Sequence, residues 1–363
     1  MKQLLSNKRK SQILKIFWIT VAWIIIAGFQ FLISYSLARL LKCDFGDFKP
    51  IYFLKGALLT GLLAGIIGGT AVVFVWEKWL RNKKYGTALF NMFWSYCIIF
   101  VLVAIPTGLY FHSQELGLPF YDLKVIETMT IHFFGLDQLQ NFIIWLSIVL
   151  ITLIALQVND KYGPGVFRSF LLGKYFHAKR EERIFMFLDL RSSTTIAERL
   201  GEERYFHFIK NVFKDVTPAI LNARGEIYQY VGDEIVISWP MNNGIKDANC
   251  LQCFFEIQLA LRRQNSFYKE NYDGLQPEFK AGLHYGFVMA GEVGVVKRDI
   301  AYSGDVLNTT ARIQSMCNEL GVNVLLSQFL LDKLALRSHL FNPKRIGEML
   351  LRGKEEKVTL YTV

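Results

Sequence analysis

The sequence predicts two parts of different fold class: an all-α membrane region of four transmembrane helices, followed by an α+β domain with a ferredoxin-like plan. Long apolar stretches fill the first 158 residues of the 363-residue chain, whereas strand-like and helix-like segments alternate in the remainder. The charges divide in the same way, with 14 basic and 7 acidic residues through Asn159, then 27 and 24. We therefore expect a membrane domain at 1–158, a connector at 159–182 and a soluble domain at 183–363.

Four segments are long and apolar enough to cross the hydrocarbon core of a bilayer, which takes about 20 helical residues. They are Ile13–Leu37, Ile51–Trp79, Ala88–Phe111 and Asn141–Val158. An interfacial or re-entrant segment in place of one span is the alternative. Basic residues gather before the first span and after the second, whereas the long loop before the fourth is acidic on balance. This pattern predicts a multi-pass protein of the cell membrane, in contact with lipid, whose C-terminal domain is cytoplasmic.

Small residues recur every four positions in the second span, at Ala57, Gly61, Gly65 and Gly69. This spacing places them on one helix face and lets another helix approach closely. The pattern fits either packing within one bundle or the seam of a dimer.

Several functional classes are not indicated. The positive excess belongs mostly to the membrane half, so we expect no nucleic-acid partner. Cys250 and Cys253 form a lone Cys-x-x-Cys without partner ligands, which indicates ordinary core or surface thiols. The sequence also contains no phosphate-cradling loop of the G-x-x-x-x-G-K-[ST] type.

The soluble part predicts a strand–helix–hairpin–helix–strand order, which is the ferredoxin-like plan. Ser192, Ser193 and Thr194 are expected to cap the first helix. Before it, the connector predicts a short amphipathic helix at about 166–176. The predicted strands are 183–190, 226–231, 234–239, two within 279–294 separated at Gly286, 322–327 and 358–363, and the predicted helices are 195–200, 202–223, 247–263 and 306–319.

Three motifs carry the candidate chemistry. Asp189 ends an apolar strand within Phe185–Thr194, and Asp233 lies in a tight hairpin turn. Two carboxylates held on neighbouring strands can bind divalent metal ions against the phosphates of a nucleotide. In the third motif, Asn308 and Arg312 lie four residues apart and therefore share one face of a helix.

In this order and spacing, the three motifs resemble the catalytic domain of the class III adenylate/guanylate cyclases, over about residues 182–363. The resemblance implies a membrane-bound nucleotidyl cyclase that converts ATP to 3′,5′-cyclic AMP and pyrophosphate for intracellular signalling. It implies two Mg²⁺ or Mn²⁺ ions per active site, held by Asp189, Asp233 and the backbone carbonyl of Leu190. It also implies that Asn308 orients the ribose and that Arg312 stabilises the transition state. Because family members supply these two groups from opposite chains, a homodimer with two equivalent sites is expected.

Phosphate-binding groups are expected at the helix start after Asp189, where backbone amides can face the β- and γ-phosphates. The resemblance adds a C-terminal loop that carries a phosphate-binding cation. The residues expected to bind phosphate are Arg191, Ser192, Ser193, Thr194, Arg352 and Lys354.

The positions that read the base depart from the family pattern. Gln229 stands where adenylate cyclases usually carry Lys, and Ala301 stands where they carry Asp or Thr. Gln can contact the edge of a base, whereas Ala offers no polar group. ATP is expected because most family members use it. GTP or another nucleoside triphosphate remains the alternative substrate, and a catalytically silent cyclase-like receptor is the alternative function.

Overall fold

The computed structural model describes residues 2–40, 50–162, 173–296, 298–334 and 341–363. The chain divides into two compact units, Met1–Lys161 and Tyr162–Val363.

Apart from short turns between the helices, the described residues of the first unit are helical. Its helices are α1 Lys2–Leu40, α2 Pro50–Ala71, a π-helical turn Val72–Trp76, α3 Glu77–Asn82, α4 Tyr85–Leu116, α5 Leu123–Phe133 and α6 Leu136–Tyr162. Four stretches are long and apolar enough to cross a membrane: Gln12–Leu37, Pro50–Leu80, Gly86–Leu116 and Leu136–Val158. The expected four apolar helices are therefore present, and the fourth begins earlier than predicted. Helix α5, between the third and fourth, was not predicted.

The small-residue face of α2 packs against α1 of the same chain. A Cβ atom at Gly61 would lie 2.8 Å from the Cα of Ile24, and one at Gly65 would lie 2.6 Å from the Cα of Thr20. Only glycine allows this approach, because real Cβ contacts are not that short. Of the two interpretations of this face, the structure favours packing within the bundle.

The second unit is a mixed α+β domain. Its strands are β1 Lys179–Leu190, β2 Glu226–Val231, β3 Glu234–Pro240, β4 Phe279–Val293, β5 Asp299–Ser303, β6 Val324–Ser327, β7 Lys344–Leu350 and β8 Lys357–Thr362. Its helices are α7 Ser193–Leu200, α8 Glu202–Asn222, α9 Met241–Ile245, a 3₁₀ turn Lys246–Ala248, α10 Asn249–Arg263, α11 Asn265–Asn271, α12 Asp305–Glu319 and α13 Gln328–Leu331.

These strands form one sheet in the order β2-β3-β1-β4-β6-β8-β7, and β5 pairs with β4. The first four strands of this order are all antiparallel neighbours. That order is the predicted ferredoxin-like arrangement. Strand β6 extends it parallel to β4, and β8 and β7 continue antiparallel to their neighbours.

Strand β1 lies at the centre of the sheet and is buried on both faces. Ile184, Met186 and Leu188 belong to the larger core, beneath α8 and α10. Phe185 and Phe187 point to the other face, where they pack with Val288 and Val306 in a smaller core. Burial on two faces fixes the end of β1, which carries Asp189.

Two local predictions were wrong. Strand β4 runs unbroken through Gly286, which pairs with Arg183. A Cβ atom at Gly286 would lie 3.2 Å from the Cβ of Val306. This glycine therefore makes room for α12 and does not interrupt the strand. Strand β1 begins at Lys179, inside the segment expected to be a connector. The predicted helix at 166–176 lies mainly outside the described residues, and its last four residues form part of a turn.

Cys250 and Cys253 are buried and free, which confirms the interpretation of this pair as core thiols. Burial raises the pKa of Cys250 to about 12. A thiol held protonated in this way is a poor metal ligand or nucleophile.

Candidate active site

Asp189 lies near the end of β1, between two charged neighbours on the adjacent strands. In the sheet, Asp189 lies opposite Glu234 on β3 and opposite Lys280 on β4. The Lys280 ammonium lies 3.0 Å from Oδ2 of Asp189. The side-chain amide of Gln314 donates a 3.0 Å hydrogen bond to the same oxygen. One carboxylate oxygen is thus held from two sides, and its direction is fixed.

Asp233 lies in the β2–β3 turn, beside Asp189. The preceding Gly232 has a φ of +61°, which this tight turn requires. Burial raises the pKa of Asp233 and the neighbouring Asp189 carboxylate adds to the effect, whereas a hydrogen bond from Ser193 opposes it. Burial and the two aspartates also raise the pKa of Glu234 to about 7. Three carboxyl groups therefore crowd the end of this sheet, and Lys280 is the nearest cation to Asp189.

This donor set fits a divalent metal ion that a nucleotide helps to bind. Among the described residues, no group of three or more His, Cys, Asp and Glu side chains is arranged to hold a metal by itself. Mg²⁺, however, is commonly bound by one or two carboxylates together with substrate phosphates and water. Asp189 and Asp233 supply two carboxylates, and Leu190 directly follows Asp189 at the end of β1. A cation here would relieve the repulsion that raises the pKa values of Asp233 and Glu234.

The turn after β1 differs from its prediction. Ser192 precedes α7 with a φ of 55°, and its side chain makes no capping hydrogen bond. Ser193 and Thr194 belong to the helix itself, and Ser193 is the residue that hydrogen-bonds Asp233. The expected capping of this helix by its Ser and Thr side chains is therefore wrong.

Arg191 is engaged by other parts of the domain. Its backbone N–H donates to the carbonyl of Glu278 over 2.8 Å. Its guanidinium donates to Asn323 over 3.0 Å and to the carbonyl of Val322 over 2.6 Å. In this structure, the side-chain hydrogen bonds of Arg191 connect the end of β1 to the loop before β6. The Arg191 backbone N–H is thus already bonded to Glu278, and a role of Arg191 in phosphate binding stays a prediction.

Helix α12 turns two different faces to its surroundings. Gln314 is buried and reaches Asp189, because Gly282 of β4 lets the helix approach so closely that a Cβ there would lie 2.4 Å from the Gln314 nitrogen. Asn308 is exposed and Arg312 is half-buried. Two residues along an α-helix correspond to about 200° of rotation, since each turn takes about 3.6 residues. Arg312 and Gln314 therefore point to nearly opposite sides, and Asn308 shares the side of Arg312.

Lys354 lies beside that outer face of α12. Its ammonium forms an ion pair with Asp305 in the first turn of the helix, and this contact lowers the pKa of the Asp305 carboxyl. A Cβ atom at Gly353 would lie 3.4 Å from Nη2 of Arg312. The β7–β8 loop thus brings Lys354 to the same surface as Asn308 and Arg312. Arg352, in the same loop, is exposed.

The two positions expected to contact the base lie on β2 and β5, which contact each other through Tyr228 and Tyr302. The hydroxyl of Tyr228 accepts a 3.3 Å hydrogen bond from the backbone N–H of Tyr302, and their rings are 4.9 Å apart. Gln229 and Ala301 are the sequence neighbours of these tyrosines on β2 and β5. Gln229 is exposed and Ala301 is half-buried.

Four residues of this region escaped the sequence analysis: Lys280, Gln314, Glu234 and Asp305. Lys280 had a signal, since a lysine inside the apolar run Phe279–Leu283 needs a buried partner. Glu234 had a weaker signal in its position next to Asp233. Gln314 had none, because its contact with Asp189 spans 125 residues of sequence.

Comparison with known proteins identifies relatives for this unit. The model of the family "Adenylate and Guanylate cyclase catalytic domain" matches residues 177–363. The chain is 36% identical over 209 residues to adenylate cyclase 2 of Rhizobium meliloti, covering 57% of this chain and 57% of that protein. It is 27% identical over 193 residues to an adenylate cyclase of Anabaena cylindrica, covering 51% of this chain and 37% of the other.

Among solved structures, a bacterial light-regulated adenylyl cyclase aligns with a TM-score of 0.52 and 20% identity, over 60% of this chain and 63% of that one. At this identity, the likeness concerns the fold alone. The chain spans little more than half of the first of the curated relatives, so similarity in the matched region does not extend to the whole of any of these proteins.

Proposed function

The chain belongs to the adenylate and guanylate cyclase catalytic domain family, and we propose that it is a membrane-anchored cyclase that converts ATP to 3′,5′-cyclic AMP and pyrophosphate. The choice of ATP rests on its 36% identity to a protein named adenylate cyclase. The base-contacting positions Gln229 and Ala301 do not by themselves favour adenine.

The observation that carries the proposal is the pairing of Asp189 with Asp233. Burial and, to a lesser extent, mutual repulsion raise the pKa of Asp233, and they raise the pKa of the adjacent Glu234 to about 7. Such a cluster is unfavourable unless a cation binds to it. Since Mg²⁺ and Mn²⁺ favour carboxylate and phosphate oxygens, a metal-bound nucleoside triphosphate matches this end of the sheet.

Each residue then has a defined task. Asp189, Asp233 and the Leu190 carbonyl would hold two Mg²⁺ or Mn²⁺ ions, which supply Lewis-acid activation of the ribose 3′-hydroxyl and neutralise phosphate charge. The 3′-oxygen attacks the α-phosphorus as the bond to pyrophosphate breaks. The helix start at Ser193 and Thr194 offers backbone N–H groups to the terminal phosphates.

The outer face of α12 supplies the remaining groups. The Asn308 amide orients the ribose, and the Arg312 guanidinium stabilises negative charge in the transition state. Lys354, paired with Asp305 in this structure, exchanges that partner for a phosphate when the nucleotide binds.

The arrangement of α12 supports a homodimer. Its inner side presents Gln314 to Asp189 of the same chain. Asn308 and Arg312 point to the other side of the helix, and are exposed or half-buried there. A nucleotide on Asp189 and Asp233 would therefore meet Asn308 and Arg312 of a second copy. A head-to-tail dimer would contain two such sites.

The first unit would anchor the enzyme in the cell membrane. Its four apolar helices are long enough to span a bilayer. Basic residues gather before the first span and follow the second, so the catalytic unit would lie in the cytoplasm.

Turnover by the purified full-length protein tests the proposal. The protein would be given ATP, GTP, CTP or UTP with Mn²⁺, and each cyclic product would be separated by chromatography. Cyclic AMP is expected to form fastest. An Asp233→Ala protein, purified in parallel, controls for contaminating cyclases. Binding of nucleotide without any cyclic product would instead favour the silent receptor.

A further inference from the structure

The first unit contains a half-open cavity of about 570 Å³ that the proposed catalytic function does not use. This volume lies within the range of about 300–1,000 Å³ that small-molecule sites occupy. The described residues that line it all belong to the helices of this unit.

Aromatic rings form most of the apolar wall. Trp23 and Trp145 pack edge to face with their ring centroids 5.9 Å apart. Tyr96 and Phe100 also line this cavity. The lining aromatic residues are Trp23, Phe31, Phe53, Trp76, Tyr96, Phe100, Phe111, Phe133 and Trp145. Aromatic faces carry negative electrostatic potential, so such a wall accepts apolar groups and cations and repels anions.

Polar groups concentrate at one end of the cavity. Nδ1 of His112 lies 2.7 Å from Oε2 of Glu115, and the His112 and His132 rings are 4.7 Å apart. Nearby, Gln30 donates a 3.0 Å hydrogen bond to Asn141. This end of the bundle contains the C-terminus of α4 and the N-terminus of α6. It is therefore opposite to the C-terminus of α6.

The charge at this end is negative. Glu115 and Asp137 contribute carboxylates, and none of the described residues that line the cavity is Lys or Arg. Among the described lining residues, an anionic ligand would therefore find no positive partner beyond the imidazoles. A metal ion does not fit either, because the described His and carboxylate groups here do not form a set of three ligands.

Helix α5 covers this end. A Cβ atom at Gly108 of α4 would lie 3.1 Å from the Cγ of Met129, so the small residue lets α5 pack directly on α4. Met129, His132 and Phe133 of α5 face the cavity. A short helix therefore lies over the polar end, while the carboxylates of Glu115 and Asp137 stay exposed.

We propose that this cavity is a binding site for an amphipathic cation, with its ammonium group between Glu115 and Asp137 and its apolar body among the aromatic rings. The two carboxylates provide charge pairing, and the rings provide cation–π and apolar contact. The cavity's size, its aromatic wall and its one-sided charge all favour this chemistry over a carboxylic acid of the same length.

Saturation binding with matched probes tests the site. Full-length protein in nanodiscs of phosphatidylcholine would be titrated at neutral pH with radiolabelled decylamine, and binding to empty nanodiscs would be subtracted. We expect one saturable site per chain. Unlabelled decylamine should displace the label at least about tenfold better than decanoate, since each 1.4 kcal/mol of charge pairing is tenfold in affinity. The proposal is overturned by purely linear uptake, or by decanoate that competes as well as decylamine.

Two variants locate the binding. At Gly56 a Cβ would meet only Phe111, at 3.7 Å, so Gly56→Leu fills the cavity with little backbone clash. Gly28→Leu is the matched control, because its Cβ would meet only Leu58, also at 3.7 Å, and Gly28 does not line the cavity. Gly56→Leu should weaken decylamine binding about tenfold or more, and Gly28→Leu should leave it unchanged. Equal loss in both would contradict the assigned position.

The charge assignment is tested separately on exposed residues, which tolerate substitution. Glu115→Gln combined with Asp137→Asn should reduce decylamine affinity about tenfold while leaving 1-decanol binding unchanged. If the double variant binds decylamine like the wild type, the ammonium does not lie between these carboxylates and the proposal fails.

Discussion

The two halves of the proposed catalytic site are built differently. The carboxylate half, formed by Asp189 and Asp233, lies at the ends of buried strands, and Lys280 and Gln314 of the same chain hold Asp189. The helix half, formed by Asn308, Arg312 and Lys354, lies on the outer face of α12. The carboxylate half is fixed by contacts within its own chain. The helix half is open, which is what a surface completed by a second chain requires.

The largest effect is expected in the carboxylate half. Asp233→Ala removes one of two carboxylates that would bind metal, while its half-buried position in a turn outside the core lets the fold survive. Metal ions contribute several kcal/mol of charge stabilisation in such reactions, so kcat should fall about a thousandfold or more. The measurement is cyclic AMP formation at saturating Mn²⁺, with circular dichroism to confirm folding. Near-normal turnover by folded Asp233→Ala would show that the carboxylate half is not catalytic.

Complementation between chains tests whether the two halves act across an interface. Asp189→Ala and Arg312→Ala proteins should each be inactive alone. A mixed dimer would contain one site with both halves intact, so co-expression should restore about a quarter of the wild-type rate when the chains associate at random. Differently tagged chains would report heterodimer formation. Heterodimers without activity would mean that both halves of a site come from one chain.

Lys280 offers a sharper test of how the carboxylate half is held. Its ammonium lies 3.0 Å from Asp189 and would compete with a metal ion for that oxygen. Lys280→Met keeps the length of the side chain and removes the charge. A hydrogen bond to a charged group contributes about 1.5–3 kcal/mol, so Mn²⁺ should bind about tenfold to a hundredfold more tightly.

Electron paramagnetic resonance of free Mn²⁺ measures this affinity without any turnover. Lys344→Met, on an exposed position of β7, is the matched control and should not change it. Unchanged or weaker Mn²⁺ binding in Lys280→Met would contradict competition between the ammonium and the metal.

The two halves also differ in how far the sequence predicts them. The central strands were predictable because β1 is a continuous apolar run, and Asp189 and Asp233 follow from their motifs. The shared helix side of Asn308 and Arg312 was predictable from their spacing, whereas their roles follow from the resemblance and stay predictions. The partners of Asp189 were not, because Gln314 contacts it across 125 residues and only tertiary packing brings them together.

Backbone elements were missed for different physical reasons. Strand β5 has only five residues, pairs only at the far end of β4, and carries no strong apolar alternation. Gly286 was interpreted as a break because glycine commonly ends a strand, whereas here it admits Val306 of α12. Arg191 was expected near phosphate from its motif, but its nearest acceptors belong to residues 322 and 323, which no local pattern reveals.

Base selectivity probes Gln229 and Ala301, which lie on the strands β2 and β5 that contact each other within one chain. Gln229 can hydrogen-bond one side of the base edge, whereas Ala301 has no polar side-chain group to contact the other side. One polar contact discriminates by about 1–3 kcal/mol, so the preference for ATP over GTP should be about tenfold to two-hundredfold in kcat/KM. Gln229→Lys with Ala301→Asp should raise it. A native preference above about ten-thousandfold would mean that another group reads the base.

The smallest expected effect concerns the crowding that defines the carboxylate half. Burial and the two aspartates raise the pKa of Glu234 from 4.5 to about 7. Between pH 4.5 and about pH 7, Glu234 is therefore protonated in the folded protein and ionised in the unfolded chain. It follows that the free energy of unfolding of the metal-free protein falls as pH rises through this window. Glu234→Gln stays neutral, so it should be more stable than the wild type at pH 8.

Because Glu234 is only half-buried, solvent screening limits this difference to about 1 kcal/mol, or about 0.3 M in the urea midpoint. Pulse proteolysis with trypsin in EDTA measures that midpoint for the C-terminal unit of the full-length protein, and Glu355→Gln, at an exposed position, is the control. The advantage of Glu234→Gln should vanish at pH 5, where the wild-type carboxyl is protonated, and shrink at pH 8 when Mn²⁺ is added. If the greater stability of Glu234→Gln depended on neither pH nor Mn²⁺, the carboxylates would not repel one another. The contrast between a crowded carboxylate half and an open helix half would then be wrong.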